Sequence, residues 1–350
     1  MFDSFSEFVI KAGQNRTLAF IVILTLGVIF VNGWTDAPNA IATAVATRAI
    51  TVKRAILMAA VCDFLGVFFM TMVNAKVAQT IYHIVDFKGD AKQAYLALAS
   101  AMAAIVIWAV IAFLYGIPTS ESHALVAGLT GAAIALHKNF DGVNKAEWGK
   151  VIYGLIISSF LGFSLGYLIV QLLEVVFQHT KREKAERFFT GGQIAGSAMM
   201  SFMHGAQDGQ KFMGVFLLGA FLARGEGTIT EFEIPIWLMM LCSVFMALGT
   251  CLGGGRIIKK VGISMVKLSG YEGFSADVAA AISLLIASLW GVPVSTTHTK
   301  TTAIMGVGAA RSMRNVNWKV VKEMVAAWLL TFPGCGALGY LIAYFFLYAV

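Results

Sequence analysis

The sequence predicts an all-α protein that crosses a membrane many times and is built from two related halves. Three observations carry that reading: scarce charge, long apolar stretches, and two polar motifs that each recur in the same order. Of 350 residues, 58% are hydrophobic and 13% charged, with a mean hydropathy of +0.78. Soluble domains carry about 25% charged residues, so this chain lacks the polar surface to cover a globule in water. Ala94–Tyr115 carries no charge, and Val151–Phe177, Ile234–Leu252 and Val325–Val350 hold at most one acidic residue each. A hydrocarbon core of about 30 Å takes roughly 20 helical residues. Backbone groups left unpaired in lipid are costly, so these stretches must be helices, and the alternation of a barrel is absent. Thirty-five glycines against five prolines suit closely packed membrane helices. About 10–12 membrane segments are expected on this footing.

Other function classes recede on composition. Cys62, Cys242, Cys251 and Cys335 all lie in apolar segments without CxxC spacing, which argues against a disulfide framework or a zinc site. The first sixteen residues mix Asp3, Glu7, Lys11 and Arg16 with no short apolar core before them, so no removable signal peptide is expected. A net charge of +7 suits anionic headgroups and an anionic substrate equally. No basic face on a soluble domain is evident, so nucleic acid is not an expected partner.

Aligning the chain with itself is the most informative step. Gly116-Ile-Pro-Thr-Ser-Glu-Ser-His123 and Gly291-Val-Pro-Val-Ser-Thr-Thr-His298 match at Gly, Pro, Ser and His, at an offset of 175. Upstream, Asn32-Gly-Trp-Thr-Asp36-Ala-Pro-Asn39 pairs with His204-Gly-Ala-Gln-Asp208-Gly-Gln-Lys211, at an offset of 172. The densest charge run, HTKREKAER at 179–187, falls between them and is expected on the cytoplasmic side. The halves are therefore placed at 1–178 and 190–350, with a charged connector at 179–189. Repeats with interrupted helices at matching positions are the pattern of secondary transporters.

The first polar motif predicts a broken helix. Pro38 cannot continue an upstream helix but fits the first turn of a new one. Asp36, Asn39 and Thr43 then share one face of the second half-helix. A matching break is expected around Gly205–Gly209, presenting Gln207, Asp208 and Gln210. A carboxylate at membrane depth costs roughly 3 kcal/mol or more and calls for a cation or proton partner. Carboxylate, amide, hydroxyl and unwound carbonyl oxygens in both copies make Asp36 and Asp208 candidate coupling-ion residues.

The second motif predicts re-entrant hairpins, because the arms 124–136 and 302–310 look short for a span. Ser and Thr at a helix start cap it and leave N–H groups and hydroxyls aimed at one spot, where the helix dipole favours an anion. Two such tips meeting near the midplane would cage a tetrahedral oxyanion with neutral donors. His123 and His298 are read as orienting their own tips. Asp63, Asp277, Lys211 and Lys300 also fall in apolar surroundings: the acids pair with backbone or protons, and the lysines snorkel or neutralise charge. Gly253–Lys260 with 261–268 reads as a basic interfacial helix.

At these residues the chain resembles the PiT-type inorganic phosphate transporter family. The duplicated signature is matched at 33–40 and 204–214, and the paired PxSxxH hairpins at 118–123 and 293–298. The resemblance implies two inverted repeats and a homodimer in the plasma membrane. It implies symport of inorganic phosphate with a cation, sodium ahead of a proton, and no enzymatic activity or further cofactor. By motif match, Asp36, Asn39, Asp208 and Gln210 would handle the cation, with sodium at Asp36, Asn39 and Asp208. Thr119, Ser120, Ser122, Gln207, Ser295, Thr296 and Thr297 would hold phosphate. Asp63 and Asp277 match positions where the family usually carries a functional acidic residue, often Glu. Glu121 stands where small or hydroxyl residues are commoner. The hydrophilic central domain of animal relatives is absent, as in a minimal bacterial-type carrier. Rival readings are a sulfate transporter of the same fold, a channel, and a membrane enzyme with Asp36 and Asp208 as an acid/base pair.

Overall fold

Apolar stretches of 16–41 residues with few internal prolines satisfy their own backbone as helices. The computed structural model describes residues 4–87, 90–222 and 233–348, and among these it has helices and turns but no strand. After α1 (Phe5–Gln14), the first half comprises α2 (Arg16–Thr35), α3 (Pro38–Ala46), α4 (Val52–Val73), α5 (Lys76–Tyr82), α6 (Ala91–Leu114), α7 (Glu121–His137) and α8 (Lys145–Phe177). The second half comprises α9 (Arg182–Leu222), α10 (Ile236–Cys251), α11 (Gly255–Lys259), α12 (Gly270–Trp290), α13 (Thr296–Arg311) and α14 (Trp318–Tyr348). The charged run is not a free linker throughout: Arg182–Glu186 and Arg187–Glu183 pairs, each 2.7 Å, brace the first turns of α9.

The two halves are inverted repeats, and their packing is exchanged pair by pair. α2–α3 corresponds to α9, α4 to α10, α6 to α12, α7 to α13 and α8 to α14. Accordingly α2 packs on α10 while α4 packs on α9, and α7 packs on α14 while α13 packs on α8. Each hairpin arm thus leans on the last helix of the other half, which interlocks the two. Even the isolated bridges recur, Val85 to Val143 and Val266 to Val316. Glycines permit the crossings. A Cβ on Gly66 would sit 1.9 Å from the Phe202 carbonyl oxygen, and one on its counterpart Gly249 would sit 2.0 Å from that of Phe30. Backbone cannot yield as a side chain does, so these sites exclude even alanine.

The first expected break is present. α2 ends at Thr35, Asp36 and Ala37 form a turn, and Pro38 opens α3. The second is not: α9 runs unbroken for 41 residues through Gly205–Gly209. The reason is local. Pro38 lacks an N–H and clashes with the preceding turn; its counterpart at the 172-residue offset is Gln210, which carries an N–H and clashes with nothing. Gly205 and Gly209 lower helix propensity but do not stop a helix held on all sides.

Among the described residues, six helices are long and apolar enough to span a membrane, or up to seven with α10 and the bent α11 segment counted together. The other expected segments fall short by composition or length. α9 is polar where it is enclosed by protein, Met203–Phe221 being buried throughout, and α7 and α13 have only 17 and 16 residues. The basic segment after Gly253 bends 68° from α10. It buries Ile257, Ile258 and Val261 and packs on α3, leaving Arg256 exposed.

Gly249→Ala is expected to destabilise the protein by about 1–3 kcal/mol by overpacking. Gly27→Ala, whose new methyl meets nothing within 4 Å, should melt as the wild type does. Thermal unfolding in detergent, with equal melting of the two variants counting against the crossing argument, checks this.

Candidate functional site

The break at Asp36 and the unbroken α9 meet at the centre of the molecule, and the repeat places equivalent groups face to face. On the first side, Asn39 Nδ2 donates to Asp36 Oδ1 at 2.6 Å and to Thr297 Oγ1 at 3.3 Å. On the second, the equivalent Lys211 Nζ donates to Asp208 Oδ1 at 2.6 Å and to Ser122 Oγ at 2.6 Å. Each set joins a carboxylate, a donor three residues later, and a hydroxyl from a hairpin tip of the other half. Asp36, Asn39, Asp208, Lys211 and Thr297 are all buried.

The sets differ in charge. Thr297 Oγ1 donates to Asp36 Oδ1 at 2.5 Å and Thr296 Oγ1 to Oδ2 at 3.2 Å, so with Asn39 the hydrogen-bond partners of Asp36 are neutral. Asp208 has an ammonium on Oδ1 and Asn32 Nδ2 on Oδ2 at 3.1 Å. His204 stands beside both: ligand atoms of Asp36, His204 and Asp208 lie within 4.8 Å of one another. Its other nitrogen, Nδ1, bonds Asp63 Oδ1 at 2.9 Å, and Asp63 Oδ2 accepts from Thr250 at 2.7 Å. Two carboxylates this close repel by a few kcal/mol even at an effective dielectric near 20. A small cation between them fits the donor set of carboxylate, amide and hydroxyl oxygens.

The hairpin tips meet here as expected. The Val294 carbonyl accepts from Lys211 at 2.5 Å and from Ser122 at 3.4 Å. The His123 and His298 rings lie 4.4 Å apart, backed by Phe332 and Trp328. Their place is that of packing posts. Ser120 and Ser295 cap their helices, each accepting from the N–H of the histidine three residues on. Glu121 is buried and takes the Thr35 hydroxyl, so the departure from a small residue is absorbed inside the protein.

Expected placements need correction at Gln210, at Thr119, and at Thr296 and Thr297, which are expected as phosphate ligands and instead donate to the Asp36 carboxylate. Gln210 sits two residues past Asp208 on a continuous helix, about 200° round its axis, and its amide bonds the Asn74 carbonyl at 2.7 Å instead. Gln207 stays beside the tip of the second hairpin: its Oε1 accepts from the Val294 N–H at 3.4 Å, and its Nε2 donates to Ser288 on α12 at 2.9 Å. Thr119 is half-buried and lines a cavity with Tyr115, Lys260 and Glu323 rather than the centre. Conversely, sequence reasoning assigned no role to His204 or Asn32, and it had Lys211 as snorkelling or neutralising charge; its ammonium is buried on Asp208. The signal was the spacing His204-x3-Asp208-x2-Lys211, which aligns on one face only if the helix is unbroken. Asp277 and Lys300 form a separate buried pair.

A membrane-embedded, internally duplicated chain with paired carboxylates and two hairpin tips at its centre defines a membrane transporter of the inverted-repeat class. The chain belongs to the phosphate transporter family, whose model matches residues 32–339, and it is a multi-pass protein of the cell membrane. It is 36% identical over 327 residues to a probable low-affinity inorganic phosphate transporter of Bacillus subtilis, covering 93% of this chain and 96% of that one. A relative of the same description from Rhizobium meliloti is 34% identical, over 91% of this chain and 95% of the other. A solved structure described as the sodium-dependent phosphate transporter superposes with a TM-score of 0.88 at 26% identity, covering 96% of this chain and all of that one.

Lys211→Met is expected to cost about 3–5 kcal/mol, because it leaves the Asp208 carboxylate buried without its cation. Adding Asp208→Asn to it should restore much of that loss, a non-additivity read from melting curves of the two singles and the double. Additive losses would show that the pair is not coupled.

Proposed function

We propose that the protein imports inorganic phosphate in symport with sodium by alternating access. The observation that carries this is the unequal pairing of two equivalent carboxylates: Asp208 holds an ammonium, and Asp36 has only neutral hydrogen-bond donors. Sodium binds at Asp36 with Asn39, Thr296 and Thr297, and reaches Asp208 across the shared gap. There it competes with Lys211 for Asp208 Oδ1. Release of the ammonium frees it, beside Ser122 and the tip of the second hairpin, for the anion. Phosphate therefore gains its one cationic contact only after sodium has neutralised Asp208, which is the condition for coupling. Rocking of the interlocked repeats about this centre then exposes it to the other side. The sodium-dependent description of the similar solved structure supports the choice of cation, and the names of the similar bacterial proteins support phosphate over sulfate.

Asp36→Asn should abolish sodium-driven phosphate uptake in proteoliposomes while the protein stays folded. Asp208→Asn should abolish it with a loss of stability from the stranded Lys211 ammonium; uptake at the wild-type rate by either variant would remove its coupling role. Ser122→Ala should raise the KM for phosphate roughly tenfold, about 1.4 kcal/mol, with the sodium dependence unchanged. Phosphate uptake that is insensitive to sodium replacement by choline but follows a proton gradient would reassign the cation. Sulfate competing on equal terms would reassign the anion.

A further inference from the structure

A second buried ion pair lies outside the central site and takes no part in the scheme above. Asp277 on α12 and Lys300 on α13 are in contact, each with none of its side chain exposed. Lysine is almost never fully buried without strong compensation, and its ammonium has three hydrogens to place. Here they meet three oxygens: Asp277 Oδ1, Thr43 Oγ1 at 3.2 Å, and the Ala40 carbonyl at 3.5 Å. Thr43 also donates to Asp277 Oδ1 at 2.6 Å, and Ser197 to Oδ2 at 2.6 Å. The shell around the nitrogen is thus carboxylate, hydroxyl and main-chain carbonyl, contributed by α3 and α12 with Ser197 of α9 behind. That is the donor set a small hard cation takes.

The internal repeat shows what the same place looks like when it holds no charge. At the hairpin offset of 175, Asp277 corresponds to Met102 and Lys300 to Leu125; at the offset of 172, Thr43 corresponds to Val215 and Ser197 to Thr25. The correspondence holds in detail, since Thr25 Oγ1 contacts Met102 Sδ at 3.2 Å as Ser197 contacts Asp277. Met102, Leu125 and Val215 are fully buried in one apolar cluster. The fold therefore packs these positions with hydrocarbon, and replacing a buried ion pair by apolar residues is often neutral or stabilising. Packing alone does not account for an acid, a lysine and the Thr43 hydroxyl gathered at one copy of this place and not at the other.

We propose that the Lys300 ammonium is a tethered cation occupying an oxygen-lined cation position centred on Asp277, and that removing it opens this position to a free sodium ion. The proposal rests on the reading of the protein as a sodium-coupled carrier. The tethered charge cannot leave with the cargo, so it holds the α13 arm against α3 without adding to the ions transported.

The test is thermal melting of the purified full-length protein in detergent, in sodium chloride against choline chloride at equal ionic strength. Lys300→Met should gain a sodium-dependent rise in Tm that exceeds the wild-type response by at least about 2 °C, as binding to the folded state alone requires. Asp277→Asn combined with Lys300→Met, a neutral pair free of stranded charge, should fold and lose that gain. A Lys300→Met protein whose sodium response equals that of the wild type overturns the proposal, and so does one that sodium fails to stabilise at any concentration. Asp36→Asn in the same assay reads the central site separately. A wild-type protein without any sodium response would undo the sodium-coupled reading, while the Lys300→Met comparison still decides the tethered cation.

Discussion

The buried ammonium of Lys211 holds the centre together. Its three hydrogens are taken by Asp208, Ser122 and the Val294 carbonyl, which belong to α9, to the tip of the first hairpin and to the tip of the second. A charge in that position demands full pairing, because an uncompensated ion in a low-dielectric interior costs several kcal/mol. Three separate elements are therefore obliged to converge on one nitrogen. That obligation requires α9 to stay helical through its glycines so that His204, Asp208 and Lys211 share a face. It also requires this part of α9 to be screened from lipid, and Met203–Phe221 is buried throughout.

The enclosing is done by repetition. Because each half lends its hairpin arm to the last helix of the other, neither half can bury its apolar faces alone, and the polar centre lies where both are committed. Close crossings such as Phe202 over Gly66 and Phe30 over Gly249 recur because the same contact is made twice with partners exchanged. The cost of repetition is that a symmetric centre would duplicate its charge. Single substitutions between the copies resolve this: Asn39 against Lys211, Pro38 against Gln210, and Asn32 against His204.

Most of the architecture was legible in the sequence. Charge scarcity and span length gave the membrane class, and two motifs at nearly equal offsets gave the duplication. The meeting of the tips followed from the Ser and Thr residues of the two hairpins. Those of the second were expected to cage an anion, but Thr296 and Thr297 donate to the Asp36 carboxylate instead. What was not legible came from assuming that both copies behave alike. Equivalence with the Pro38 break suggested a break at Gly205–Gly209, and that one assumption misdirected Gln210 and hid the face shared by His204, Asp208 and Lys211. Thr119 was misplaced for a different reason: it stands before the helix start, and only Ser120 onward turns inward. Lys300 was invisible because its partners, Asp277 and Thr43, are 23 and 257 residues away.

The broken symmetry also implies an order of events. Asp36, Asp63, Glu121 and Asp208 bring four carboxyl groups to the centre against the ammonium of Lys211 and the imidazole of His204, an excess of acid confined where the water-like screening of a surface is lost. An anion arriving first would meet that excess and a lysine already committed to Asp208. A cation arriving first is attracted by the same field, and by satisfying Asp208 it gives the lysine something else to do. A centre with two ammonium groups would bind phosphate without sodium and release it poorly; one with none would bind sodium and ignore the anion. Under the proposed symport, a single lysine shared between a carboxylate and a hairpin hydroxyl is the arrangement in which neither ligand is held well without the other. The duplicated fold reaches it by changing one residue of a pair and keeping the rest.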